Sequence, residues 1–156
     1  MNIQNESEAF ILFELNQTTY GVRSRYVQQI EMVEQVTAVP NAPPAIEGVV
    51  FARGQVIPAL NLRPRFGFEK APFDLRSRLI VVNNGSRVVG LIVDTAREFL
   101  NIPAAAIEPP PESITGLSGN YLEGIATLNN RLILILNLDE VIDVANLPAM
   151  SESAQQ

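Results

Sequence analysis

Asp139, Glu140 and Asp143 are the densest group of potential ligands in the chain. Three carboxylates within five residues could hold Ca²⁺ or Mg²⁺, or divide general acid and base roles between them. A cation site needs more convergent oxygens than this spacing supplies. Acids also belong in the first turn of a helix, where they oppose the N-terminal dipole. The solvated first turn is therefore the favoured reading of the group. Ser113 and Thr115 are candidate nucleophiles without a base, and Lys70 lies among prolines and a phenylalanine with no companion motif.

The chain has no His and no Cys. Imidazole catalysis, thiolate chemistry, disulfides and ordinary zinc sites are thereby excluded. Neither a GxGxxG stretch nor a phosphate loop occurs. The reading is no enzyme, no cofactor and no metal, so function must reside in surfaces. Two residues keep a double reading. Asp94 is an acid that also suits a helix N-cap. Arg53 either solvates a hairpin turn or is positioned to contact a partner. The "EPPPE" stretch reads as a stiff connector rather than a ligand for a proline-reading domain.

The 156 residues carry a net charge of −6, with 47% hydrophobic and 18% charged. This is a folded composition, long enough to bury a core. Its acidity argues against nucleic acid and anionic membrane as partners. The opening "MNIQNESEAF" is polar and acidic, and no apolar run reaches the roughly 18 residues of a membrane span. A soluble, intracellular protein is expected.

Period-two apolar runs dominate the chain. Hairpins are expected over 9–23 across Asn16-Gln17, over 48–62 across Arg53-Gly54, over 78–94 across Asn84-Gly85, and over 121–138 across Asn129-Asn130. Short helices are expected at "RYVQQI", capped by Ser24, and at "TAREFLNI", capped by Asp94. Residues 35–40 are extended, because Pro40, Pro43 and Pro44 forbid a helix. "LRPRFGF" is expected to be irregular or a brief helical turn, and "DEVIDVANL" an amphipathic turn or two.

The order of parts occurs twice. Gly21 answers Gly90, Ser24 answers Asp94, Gly48 answers Gly124, and Asn61-Leu62 answers Asn137-Leu138. The expected fold is all-β: two similar small barrels over about 9–70 and 76–147, closed to remove exposed strand edges. Residues 1–8 form a flexible start and 148–156 a polar tail. Val49, Phe51, Val56, Leu60, Ile125, Leu132 and Leu136 are expected to face the cores. A groove between two barrels suits a peptide or helix, and Val27 and Ile30 suit its lining.

"GVVFARGQVIPALNLR" resembles the signature of the CheW family of chemotaxis coupling proteins. The flanks "FILFELNQTTYGVRSRYVQQI", "VVGLIVDTAREFLNI", "IEPPP" and "YLEGIATLNNRLILILNL" resemble it too, over about 9–145. The resemblance implies two SH3-like five-stranded barrels in one domain over 9–147. It implies a cytoplasmic, non-enzymatic scaffold, drawn to the membrane only through receptor arrays. Its implied partners are the helical tip of a chemoreceptor, the regulatory domain of the histidine kinase CheA, and further copies in oligomers or rings. Another chemosensory pathway, such as one for twitching motility, and a stand-alone peptide-binding or array-forming module are the alternatives. Gly48, Arg53, Gly54, Pro58, Leu62, Arg63, Gly90 and Asp94 match the family pattern. The resemblance places Val27, Gln29, Ile30 and Arg53 near the receptor-binding region, Val36 and Thr37 toward the kinase, and Ala96 and Phe99 on the receptor side. The family's glutamate opposite Arg53 is Gln29 here, with Glu31 or Glu34 as substitute partners for the arginine. Its aspartate is Asn61.

Overall fold

The computed structural model describes residues 6–112 and 120–143. The four expected hairpins all form. They are β1 (Ser7–Leu15) with β2 (Thr18–Arg23), β4 (Ile46–Ala52) with β5 (Gln55–Asn61), β6 (Arg78–Asn83) with β7 (Val88–Val93), and β10 (Leu122–Leu128) with β11 (Arg131–Leu136). Three of their turns have positive φ at both loop residues: Asn16-Gln17, Arg53-Gly54 and Asn129-Asn130. That is the type I′ pattern, whose twist matches that of the flanking strands.

Both predicted short helices are strands instead. "RYVQQI" contributes to a three-residue 3-10 turn, Ser24–Tyr26, and then to β3 (Val27–Met32). Ser24 makes no capping bond. "TAREFLNI" lies within β8 (Thr95–Pro103), so Asp94 caps nothing. A helix of six to eight residues has little to offset its nucleation cost. Strands β6 and β1 offer these segments complete ladders. The two helical turns do form, as α1 (Leu62–Arg65) and α2 (Leu138–Ile142), each capped by an asparagine, Asn61 and Asn137. The polar tail and residues 1–5 lie outside the described residues.

One sheet runs β8-β1-β2-β11-β10-β9, where β9 is the two-residue Ile107–Glu108. The other runs β3-β6-β7-β5-β4. One sheet thus has six strands where five were expected. The sheets also do not divide the chain at 70–76. The β1–β2 hairpin joins the C-terminal strands, and β6–β7 joins β3, β4 and β5. Equivalent parallel pairs make the two joins: Gly21 lies opposite Ile135 between β2 and β11, and Gly90 opposite Ala59 between β7 and β5.

Each sheet encloses a small core of its own. Val50, Ile57, Ala59, Leu79, Val81 and Ile92 fill one; Phe10, Leu12, Ile102, Ala126, Ile133 and Ile135 fill the other. The largest cluster lies between the sheets and draws on both, from Phe13, Leu15 and Val22 to Leu60, Leu91 and Leu136. Four expected core residues are not inside. Phe51, Val56 and Leu132 are exposed and Val49 is half-buried. The parity is the reverse of the expected one: Ile46, Gly48, Val50 and Ala52 point inward along β4. Leu60 and Leu136 are buried, and Ile125 is half-buried.

Polar contacts reinforce the junction. Arg63 of α1 donates twice to Asp94, at 2.8 and 2.7 Å, and Asp94 also accepts the Asn16 backbone N–H. Arg65 donates to the carbonyls of Glu140, Val141 and Asp143 at the end of α2 and lies over the Tyr121 ring. Cations belong there, because the last carbonyls of a helix have no internal partners.

Candidate functional site

Strand β3 is turned inside out. Gln29 and Glu31 point inward with Val27, while Gln28, Ile30 and Met32 point to solvent. Ile30 is 38% and Met32 43% exposed. A strand covering a core normally shows the opposite alternation. The inward pair satisfies itself, because the Gln29 amide donates to the Glu31 carboxylate. The outward pair is left as an apolar surface.

The β4–β5 hairpin presents a second one. Phe51 and Val56 are direct cross-strand partners, 74% and 65% exposed, one step from the turn. Arg53 stands at the tip with φ +52°, where a bulky side chain is uncommon. It makes no hydrogen bond or ion pair among the described residues. Neither Glu31 nor Glu34 takes the role of its partner, and Glu31 is engaged by Gln29. In the second copy the same positions hold Thr127 and Leu132, with Asn129-Asn130 at the tip. The exposed arginine and the fully apolar pair are therefore particular to the first copy.

The expected site residues are brought together only in part. Val27, Gln29, Ile30, Val36, Thr37 and Arg53 all belong to the β3–β7 sheet or its connections. Thr37 bridges to Val49 through two backbone hydrogen bonds, 2.9 and 2.8 Å, and leaves its side chain exposed. Val36 packs half-buried against that sheet's own core. Ala96 and Phe99 lie on the other sheet, along β8. Phe99 is exposed, whereas Ala96 is buried in the shared core. Val27 packs against the same core, so Val27 and Ala96 shape the junction more than they offer surface. Met32, Phe51 and Val56 were not anticipated as surface. Only the strand parity could have shown them.

Beside β8, a cleft of about 240 Å³ is lined by Glu14, Thr19, Thr95, Arg97, Glu98 and Arg131. Its charges balance, and Arg131 closes a two-pronged pair on Glu98 at 2.8 and 2.9 Å. The hydrogen bonds from Arg131 hold the Glu98 carboxyl below its ordinary range. A depressed carboxylate adds stability above its unfolded value and loses it as pH falls through the folded one. Both side chains are largely exposed, so the effect is small. In Arg131→Gln the Glu98 titration, followed by carbon-13 NMR, is expected to move upward. An unmoved midpoint would show that the pair does not persist in solution.

Among the described residues no group of three or more acidic residues is arranged to hold a metal. No helix there is long and apolar enough to cross a membrane.

The pattern described as the CheW-like domain matches residues 9–146. The chain is 33% identical to the chemotaxis protein CheW of Klebsiella aerogenes, over 86% of this chain and 81% of that one. It is 31% identical to CheW of Bacillus subtilis, over 87% of each, and 31% identical to protein FrzA of Myxococcus xanthus, over 92% and 91%. The crystal structure of the scaffolding protein TtCheW from Thermoanaerobacter tengcongensis superposes with a TM-score of 0.82 at 32% identity. That likeness covers 89% of this chain and 94% of that one. The two sheets accordingly correspond to the two SH3-like barrels of that fold.

Proposed function

The chain belongs to the CheW-like family, and we propose that it is a non-enzymatic adaptor coupling methyl-accepting chemoreceptors to the histidine kinase CheA. The observation that carries this reading is strand β3, whose Ile30 and Met32 face solvent while Gln29 and Glu31 pair inward. Such a strand is built to be covered by something else. Ile30, Met32 and Phe99 provide apolar contact for the receptor's helical tip. Thr37, Phe51 and Val56 face the regulatory domain of the kinase, Val36 supports them from inside the barrel, and Arg53 at the hairpin tip reaches toward the receptor. Gln29, Val27 and Ala96 position this surface rather than form it. The adaptor works in the cytoplasm, held near the membrane by receptor arrays and not by insertion.

The test is co-purification of the whole chain with the receptor tip and the kinase regulatory domain of its own organism. Capture of both supports the reading, and capture of neither overturns it. The unpaired Arg53 favours a version in which the partner supplies the missing carboxylate, in chemotaxis or in another chemosensory pathway.

Arg53 gives a sharper prediction, because stability and binding pull it in opposite directions. Arg53→Asn creates Asn-Gly, the preferred pair for this turn, and is expected to raise stability by about 0.5 kcal/mol. The same variant is expected to weaken receptor capture about tenfold, and Arg53→Glu more. Calorimetric titration beside a thermal melt reads both. Affinity unchanged in both variants would remove Arg53 from the interface.

A further inference from the structure

The connector between α1 and β6 carries a feature that the adaptor reading does not use. Phe73 is 42% and Leu75 79% exposed, the latter the most exposed large hydrophobic side chain described. Exposed apolar residues on loose loops are common and need no explanation. This loop is held. Asp74 accepts the backbone N–H groups of Arg76, at 2.8 Å, and Ser77, at 3.2 Å. Its own N–H donates to the buried Ser77 hydroxyl, and the Ser77 N–H also reaches the Asp74 carbonyl. Arg78 donates to the carbonyls of Leu75 and Ser77, at 2.7 and 2.9 Å. Leu75 is therefore carried on a turn fixed at both ends.

The charge around this turn opposes that of the molecule. Residues 63–78 hold five of the eleven basic and two of the seventeen acidic residues, a net +3, against −9 over the rest. Arg63, Arg65 and Lys70 are bound to groups within the chain. Arg76 is 76% exposed and makes only a 3.5 Å surface ion pair with Asp74, which costs little to exchange, and Arg78 meets carbonyls but no carboxylate among the described residues. A pre-ordered apolar projection beside cations loses little ordering entropy on binding.

We infer that the Phe73–Arg78 turn is a separate docking point for an acidic amphipathic helix of another protein. Such a helix offers an apolar stripe for Phe73 and Leu75, with carboxylates along its borders for Arg76 and Arg78. An anionic membrane fits less well. Only two apolar side chains project, and the remaining residues, at a net −9, are repelled by anionic lipid.

The test is a titration of the nitrogen-15-labelled whole chain with a Leu/Glu amphipathic helical peptide, a matched Leu/Lys peptide, and vesicles of phosphatidylcholine and phosphatidylglycerol. Saturable shifts are expected at Phe73–Arg78 with the Leu/Glu peptide alone. Leu75→Ser and Arg76→Glu, both at exposed positions, should each weaken binding about tenfold. Capture of kinase and receptor by Leu75→Ser should be unchanged, which separates this surface from the adaptor reading. Absence of binding, equal binding of the Leu/Lys peptide, stronger binding to vesicles, or loss of kinase and receptor capture in Leu75→Ser would each overturn the inference.

Discussion

Replacing Gly48 with alanine unfolds this protein or costs it more than about 4 kcal/mol, a large share of the stability of an ordinary domain. Gly48 has φ +150°, a conformation that side chains rarely adopt. An added Cβ would lie 2.0 Å from the Thr37 carbonyl oxygen and 2.6 Å from its carbon. Both are backbone atoms, and the same carbonyl accepts the Val49 N–H at 2.8 Å, so retreat breaks the bridge that carries the chain across β4. The equivalent Gly124 provides the comparison. A Cβ there meets the Ile107 Cγ2 at 2.7 Å and the Glu108 oxygen at 3.0 Å, with no strained φ. A side-chain methyl can turn away, so Gly124→Ala is expected to cost about 2 kcal/mol. Urea unfolding of the two variants ranks them. A Gly48→Ala midpoint close to that of the parent would mean that Thr37 does not cross β4 in solution. Because Thr37 is an expected kinase-facing residue, a folded Gly48→Ala should also bind the kinase poorly.

The same two glycines mark what can be read without coordinates. Their equivalence was legible because a close backbone approach admits only one residue type, and both copies require that approach. The hairpins were legible for a similar reason: loop pairs such as Asn129-Asn130 tolerate positive φ and follow apolar alternation. Strands β3 and β8 were not. "RYVQQI" and "TAREFLNI" carry polar residues on what became the inner side of β3 and the outer side of β8. Local pattern therefore could not reveal a ladder whose partners, β6 and β1, lie about 50 and 90 residues distant. The parity of β4 failed because an alternating run has two faces, and Phe51 and Val49 are as apolar as Val50 and Ala52. What fixed the inner face was Gly48, the one residue of β4 that can lie against the Thr37 carbonyl, and the period of two carries Val50 and Ala52 inward with it. Phe51 is thereby turned to solvent, where it is available as contact surface.

The two departures from the family signature share one physical cause, and it yields the second large effect. Gln29 stands where the family pattern has glutamate, and its amide donates to Glu31. Asn61 stands where the pattern has aspartate, and its amide donates to Glu47 at 2.7 Å. In each case a second carboxylate would face the first, so an amide is the residue that fits. Asn61 is 3% exposed, which makes its exchange the more costly one. Asn61→Asp keeps the acceptor that caps α1 through the Arg63 N–H. It loses the donor and sets two carboxylates against each other with only Lys70 beside Glu47, at 3.2 Å, to compensate. The expected loss is about 3 kcal/mol, or roughly 10 °C in melting temperature. Restoring a donor on the other side, in Asn61→Asp with Glu47→Gln, should recover most of it. Asn137→Asp, at the equivalent cap where no carboxylate accepts from the amide among the described residues, should change stability by less than about 1 kcal/mol. If the single and double variants at Asn61 melt together, the Glu47 contact does not explain the substitution. If they separate, the family's aspartate and this chain's asparagine are alternative solutions, chosen by the residue at 47.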